Sequence, residues 1–374
     1  MLCLRVGVIS FWDRAATPYL EKYERMLNEK NIDFDVIFWN RTQVKSKNLK
    51  RNENEIIHVC RSNIILKLID FFLWRNKIIK KLKKEKYDFI IIFTTYPAIL
   101  LSDYILINYK QKYIFDIRDY SMEKNRLFRC IVSKLIESST FTAISSKGFM
   151  LWLNSSKKII INHNITCYLN NYEKKIKLKN SDKINFAFVG NIRLDKQTEA
   201  VLLNLKNSKK YILSFIGRIL PTCNILQFCK KNNIKDVYFY GQFNNWEKPE
   251  IYRDVDLINA IYANAEKNLS FADSTPIPNR VYDAAVFKCP IVASKGTYLA
   301  DLIEKYNLGF SVNGFDKDIE KQFDEYIESF DEKKFRDGCD KFLQVVLHEE
   351  NEFVNRFYEV LKTIEEGKLY DSKF

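Results

Sequence analysis

Two short stretches of this chain carry residue types that can hold a phosphorylated ligand. The first, Phe188-Val189-Gly190-Asn191-Ile192-Arg193-Leu194-Asp195-Lys196, puts a glycine directly after an apolar run, then two cations three residues apart. Gly190 lets backbone approach an anion, and Arg193 and Lys196 bring positive charge to the same turn. The second stretch opens Pro276-Ile277-Pro278-Asn279-Arg280-Val281-Tyr282-Asp283. Pro278 suits a first helical turn, where its missing N–H costs nothing. Arg280 and Asp283 are three apart and share a face of that turn. Pro290-Ile291-Val292-Ala293-Ser294 then reads as a buried strand, with Lys295-Gly296-Thr297-Tyr298 as the turn after it. A cation and a carboxylate at a helix start, beside a glycine turn at a strand's carboxyl end, suit a nucleoside diphosphate. The cation and helix dipole meet phosphate, and the carboxylate meets ribose hydroxyls. The same residues also describe an ordinary αβ unit with a surface ion pair, so residue type alone leaves both readings open.

Other candidates lie in the first half. Phe115-Asp116-Ile117-Arg118-Asp119-Tyr120 closes a predicted strand. Asp119 could take an acceptor hydroxyl or position a donor sugar; the alternative is an Asp–Arg pair that fixes the loop. Ser145, in Thr142-Ala143-Ile144-Ser145-Ser146-Lys147, could meet a ligand or cap the following helix. Asp254-Val255-Asp256 has the form of a metal-binding pair, but Asp256 opens an apolar strand, which favours a strand-start carboxylate. The eight cysteines form no Cys-x2-Cys pair and the three histidines no zinc spacing, so the expectation is free thiols and no metal.

The elements that must position these residues alternate. Strand-like runs are expected at Leu4–Ser10, Phe34–Trp39, Phe89–Thr94, Tyr113–Asp116, Phe141–Ile144 and Lys158–Ile161. Helical stretches fall at Pro18–Glu29, Ile64–Lys84, Ala98–Tyr109 and Arg126–Ser138. A polar stretch, 166–183, reads as a linker between a domain over 1–165 and one over 184–348. In the second domain strands are expected at Ile184–Val189, Tyr211–Ile216, Val237–Tyr240, Asp256–Tyr262, Pro290–Ser294 and Phe310–Val312. The end is helical, with a tail over 349–374. This is an α/β pattern of two parallel-sheet domains, in which a ligand belongs at the carboxyl ends of strands.

Ile64 to Lys86 has an apolar stripe of Ile64, Ile65, Leu68, Phe71, Phe72, Ile78, Ile79 and Leu82, with Trp74 among them and a lysine-rich end. Such a helix either lies on an anionic bilayer with Trp74 at the interface or packs on the core with a solvated tail. The formal net charge of +13 suits anionic partners generally. The longest uncharged run, Phe89 to Ser102, is too short to span a bilayer, and no signal peptide is visible. The expectation is a cytoplasmic protein, peripheral on a membrane at most.

The Pro276–Val312 segment resembles the donor-site region of GT-B glycosyltransferases, particularly the retaining family 4 (group 1) enzymes of bacterial surface-polysaccharide synthesis. There, Pro-x-Lys-x-x-Glu precedes a Pro-Val-Ile-Ala-Ser strand, a glycine turn and Leu-Gly. Arg280 stands at the Lys and Asp283 at the second signature Glu, while Thr275 stands at the first. Asp273 is a carboxylate nearby. Gly190 to Lys196 resembles the family's Val-Gly-Arg-x-x-x-x-Lys turn; Lys196 matches the Lys, Asn191 replaces the Arg, and Arg193 is its substitute. The resemblance implies two Rossmann-like domains facing across a cleft, with the last helix, 352–365, crossing back to the first. It implies donor contacts from Gly190, Asn191, Arg280, Asp283, Gly296, Thr297 and Tyr298, and catalytic roles for Lys196, Arg193 and Asp119. Arg14, in the loop after the first strand, and Ser145 fall on the acceptor side. The implied activity is metal-independent, retaining transfer from a nucleotide sugar, a UDP-sugar, without further cofactor. Its acceptor would be a glycan carried on undecaprenyl or a similar lipid, in capsule or lipopolysaccharide assembly.

Other classes fit less well. A nicotinamide enzyme would carry Gly-x-Gly-x-x-Gly after a strand, and none of the ten glycines forms it. No nucleic-acid motif accompanies the basic charge, so no nucleic-acid partner is expected. A sugar-nucleotide epimerase of the same fold, or a basic non-catalytic nucleotide- or anion-binding protein, remains the alternative.

Overall fold

The computed structural model describes residues 4–41, 49–121, 125–165, 172, 174, 176–262 and 274–367. It divides into two compact units, Met1–His163 with Glu349–Phe374, and Asn164–His348. Part of the predicted linker, and Asp273, lie outside the described residues.

The first unit holds seven strands: β1 (Arg5–Ser10), β2 (Asp33–Asn40), β3 (Glu53–Ile57), β4 (Phe89–Phe93), β5 (Tyr113–Ile117), β6 (Phe141–Ile144) and β7 (Ile159–Ile161). They pair in parallel in the order β3-β2-β1-β4-β5-β6-β7. Runs such as Phe-Ile-Ile-Ile-Phe in β4 are buried along their whole length, as expected for a parallel sheet covered on both faces. The helices are α1 (Leu20–Glu29), α2 (Ile64–Glu85), α3 (Thr95–Leu100), α4 (Ser102–Asn108) and α5 (Arg126–Ser138). The single helix expected over Ala98–Tyr109 is two, broken at Leu101.

The second unit repeats the plan with β8 (Ile184–Val189), β9 (Tyr211–Ile216), β10 (Val237–Tyr240), β11 (Leu257–Ala260), β12 (Ile291–Ser294) and β13 (Gly309–Val312). Their order is β10-β9-β8-β11-β12-β13, again parallel. Between and after them come α6 (Lys196–Leu205), α7 (Ile225–Lys231), α8 (Lys248–Arg253), α9 (Arg280–Val286), α10 (Tyr298–Lys305), α11 (Ile319–Ser329) and α12 (Glu332–Glu365). Both sheets are doubly wound, with the strand order reversing between β1 and β4 and between β8 and β11. A sheet of this kind places its ligand crevice at the reversal, outside the strands' carboxyl ends.

The long helix α12 serves both cores. Phe335, Cys339, Phe342 and Val346 join the second unit's core, and Phe353, Phe357, Val360 and Leu361 join the first unit's.

At Trp74, helix α2 takes the core-packing one of its two readings. Trp74 is fully buried, stacked on Trp39 at 5.4 Å, and Ile78 and Leu82 are buried with it. Trp74 is therefore a core residue and not an interfacial anchor. The exposed apolar side chains are Ile64, Ile65, Leu66, Leu68, Ile69, Phe72 and Leu73, in the helix's first half. Among the described residues no helix is long and apolar enough to cross a membrane.

Candidate functional site

The second unit's candidate site begins where β8 ends. Gly190 has φ +138°, a region that side chains other than glycine rarely adopt, and its N–H donates to Ile216 O at 2.9 Å. Gly217, at the end of β9, has the same φ; a Cβ there would stand 1.9 Å from Gly190 O. The two glycines let adjacent strand ends turn away side by side. The sequence signal for this second turn is that Phe215-Ile216-Gly217-Arg218 echoes Phe188-Val189-Gly190-Asn191. After the turn, Asp195 caps α6 by accepting from Thr198 N–H at 2.8 Å. Burial pushes its carboxyl above the usual range, partly offset by that bond.

These loops line a cavity of about 890 Å³. Its walls are Gly190, Asn191, Arg193 and Asp195 after β8, Leu220 and Cys223 after β9, Tyr262 after β11, and Pro276, Pro278 and Arg280 before and at the start of α9. Arg280 lies over the Phe188 ring, 4.0 Å from its centroid, and 5.7 Å from that of Tyr262. It donates to Asn259 O. Among the described residues no carboxylate lies within ion-pair distance of it. Burial lowers its pKa, and Tyr262, Tyr252, Asp283 and Asp195 oppose that shift from further away. A desolvated guanidinium held by rings and one carbonyl, open to a cavity, gains most from an arriving oxyanion.

The remaining predicted donor residues are placed differently. Asp283 does not reach the cavity wall. It is buried, and its carboxylate accepts from Lys248 Nζ at 2.9 and 3.0 Å and from Tyr252 Oη at 2.9 Å. Sequence spacing did not reveal this buried ion pair. Lys196 opens α6, but its ammonium points to Glu199 at 3.0 Å on the surface and is not part of the wall. Gly296, with φ +76°, turns the chain after β12. Thr297 then caps α10, accepting from Ala300 N–H at 3.1 Å and donating to Ser294 O at 2.8 Å. Tyr298 is the first residue of that helix. None of these three lines the cavity. Asp256 accepts from Asn185 N–H at 2.8 Å, immediately before β11.

In the first unit the carboxyl end of β5 is a buried cluster. Arg118 Nε lies 2.5 Å from Asp116, and Tyr23 Oη and Asn162 Nδ2 also donate to that carboxylate, at 2.5 and 3.1 Å. The loop-fixing Asp–Arg pair thus exists, and it uses Asp116. Asp119 follows it as an exposed residue. Arg14, in the loop after β1, pairs with Glu24 of α1 at 2.5 Å and with Glu53 of β3 at 2.9 Å. Ser145 donates to Arg118 O at 3.3 Å, and the cap of the next helical turn is Ser146, accepting from Gly148 N–H at 3.0 Å.

No protein-family model matches the chain, and no curated protein does. Solved structures do. The sucrose-phosphate synthase of Thermosynechococcus elongatus matches with TM-score 0.66 and 13% identity, covering 98% of each chain. The lipopolysaccharide outer core galactosyltransferase WaaB matches with TM-score 0.61 and 14% identity, over 96% of this chain and 99% of that one. Anabaena HepE, solved with UDP and glucose, matches with TM-score 0.58 and 12% identity, over 95% and 99%. The fold is GT-B. At such identities the likeness concerns the GT-B architecture, with its paired doubly wound sheets, and not the side chains that act.

Proposed function

We propose that this GT-B chain is a glycosyltransferase that moves a sugar from a nucleoside diphosphate donor, a UDP-sugar, to a glycan hydroxyl. The observation that carries the reading is Arg280: a guanidinium with no carboxylate partner among the described residues, facing a cavity at the carboxyl ends of β8 and β11. Glycosyl transfer builds negative charge on the departing diphosphate. Arg280 stabilises that charge without reorganising, since rings and a carbonyl already fix it; removing such a donor costs on the order of 10²-fold in turnover. Arg193 adds a second guanidinium at the wall, and Gly190 lets backbone come close. The site works without a metal, because its cations neutralise the diphosphate. Transfer retains anomeric configuration, with the departing phosphate taking the acceptor's proton on the same face.

The first unit takes the acceptor, and the exposed Asp119 is its hydroxyl contact. That acceptor is a lipid-linked glycan of a surface polysaccharide. The first half of α2 supports this, because its exposed isoleucines, leucines and Phe72 sit with Lys67 in a pattern suited to an anionic bilayer surface. Similarity to a lipopolysaccharide galactosyltransferase points the same way. The protein then works on the cytoplasmic face of the membrane.

Thermal-shift measurement against UDP-, GDP-, ADP- and dTDP-sugars tests the donor side. A rise in the unfolding midpoint with one nucleotide series is expected; no response to any of them rejects the proposal. Product analysis with the stabilising donor separates transfer from epimerisation.

A further inference from the structure

We infer that the carboxyl edge of β1 and β2 binds a sugar bearing an oxyanion, with Arg41 as the anion contact and Trp12 as the apolar face. Arg41 directly follows β2. Its guanidinium lies 3.9 Å from the ring centroid of Trp12, 4.6 Å from that of Trp39 and 4.7 Å from that of Phe11. Among the described residues its guanidinium donates from Nη2 to Phe11 O at 3.2 Å, while Nε is buried without a partner. Among the described residues no carboxylate pairs with it. Burial lowers its pKa, opposed by Cys60 and Asp13, and the Asp13 carboxylate is turned to Ala16 N–H at 3.0 Å. The chain thus holds a cation among three rings, and among the described residues one carbonyl is its hydrogen-bond partner. An oxyanion would recover the lost hydration through charge-assisted bonds.

Trp12 supplies the second half of the site. It is 37% exposed, whereas Trp39 and Trp74 beside it are at 1% and 0%. An indole kept partly in solvent next to a cation offers apolar surface to the C–H face of a sugar ring.

A separate feature marks the same edge. Thr94 directly follows β4, the strand that pairs with β1, and has φ +69° although it is β-branched. Its hydroxyl is buried and makes no hydrogen bond. Strain and an unused polar group at the strand-order reversal are features of ligand-binding edges. The inference rests on the transfer reading only in naming this sugar the acceptor, which it makes a negatively charged one.

The test is titration of the full chain, without donor, by tryptophan fluorescence and calorimetry. The probes are glucose 6-phosphate, glucuronic acid and glucose; the first two tell a phosphate from a carboxylate. Either charged sugar should bind about tenfold or more tighter than glucose. Arg41→Gln should abolish that preference, Arg41→Lys should weaken it, and Trp12→Leu should weaken binding of every sugar. The preference should persist in Arg280→Met, which excludes binding at the second unit's cavity. Equal affinity for charged and neutral sugars, no binding of any, or a preference that survives Arg41→Gln or Arg41→Lys unchanged overturns the inference. Nucleotide-sugar titration of the same samples separates the two readings. Donor binding without charged-sugar binding removes this site alone; the reverse removes the transfer reading alone.

Discussion

Lys248 Nζ lies 2.9 and 3.0 Å from the two oxygens of Asp283, with both side chains almost wholly buried. Tyr252 Oη donates to the same carboxylate at 2.9 Å. This is an internal strut between α8 and α9, and α9 is the helix that carries Arg280.

Removing one partner of a buried pair strands the other charge. Asp283→Ala should therefore lower stability by about 3–5 kcal/mol. Urea unfolding monitored by circular dichroism reads this directly. Loss of nucleotide affinity in a variant of unchanged stability would instead give Asp283 a ligand contact.

Arg280 and Lys196 should behave differently from each other. Arg280→Met removes a cation already set in the wall, and nucleotide affinity should fall about tenfold or more, roughly 1.4 kcal/mol. Among the described residues Lys196 is held only by an exposed i,i+3 pair with Glu199, worth about 0–1 kcal/mol, so a bound diphosphate can recruit it cheaply. Lys196→Ala should leave nucleotide affinity nearly unchanged and cut turnover about tenfold. Calorimetry beside initial rates separates the two effects; full turnover in Lys196→Ala removes that residue from the mechanism.

Glu349 gives the first unit an acid-sensitive contact. Burial pushes its carboxyl up, but bonds from His163, at 2.8 Å, and Lys147 together outweigh this, and its pKa lies below the ordinary 4.5. A carboxylate depressed on folding contributes stability above its unfolded pKa and loses it as pH falls through the folded value. The stability difference between wild type and Glu349→Gln should thus be greatest near neutrality. It should shrink as pH drops below about 4.5. Denaturation midpoints of the pair across that range check it, and a pH-independent difference would rule the contact out.

The exposed half of α2 should carry membrane affinity. Replacing Ile65, Leu68 and Phe72 by serine removes apolar surface that is 66%, 63% and 58% exposed, so folding stability should barely change. Co-sedimentation with vesicles containing anionic lipid should fall strongly, while vesicles of neutral lipid bind neither form well. Equal sedimentation of wild type and variant with anionic vesicles would exclude α2 as the contact.

The edge strand β3 shows where sequence reasoning stops. Glu53-Asn54-Glu55-Ile56-Ile57 has no apolar run, because it pairs on one side only, with β2, and its side chains are mostly half-exposed. The interior strands were legible for the opposite reason. Burial on both faces demands continuous apolar residues, and those runs stand out in the sequence.

Sequence by itself determined the two αβ alternations, the glycine turn at Gly190 and the helix start at Arg280, since each follows from local backbone preference and apolar period. It could not say which way two side chains of one helical turn would face. Arg280 and Asp283 are three residues apart. Packing of α8, which brings Lys248 from 35 positions earlier, draws the carboxylate inside. Phe188 and Asn259, on neighbouring strands, hold the guanidinium at the cavity. Tertiary structure likewise took Trp74 into the core and left Trp12 half outside. Burial and charge pairing are settled by residues distant in the chain, and local spacing carries no record of them.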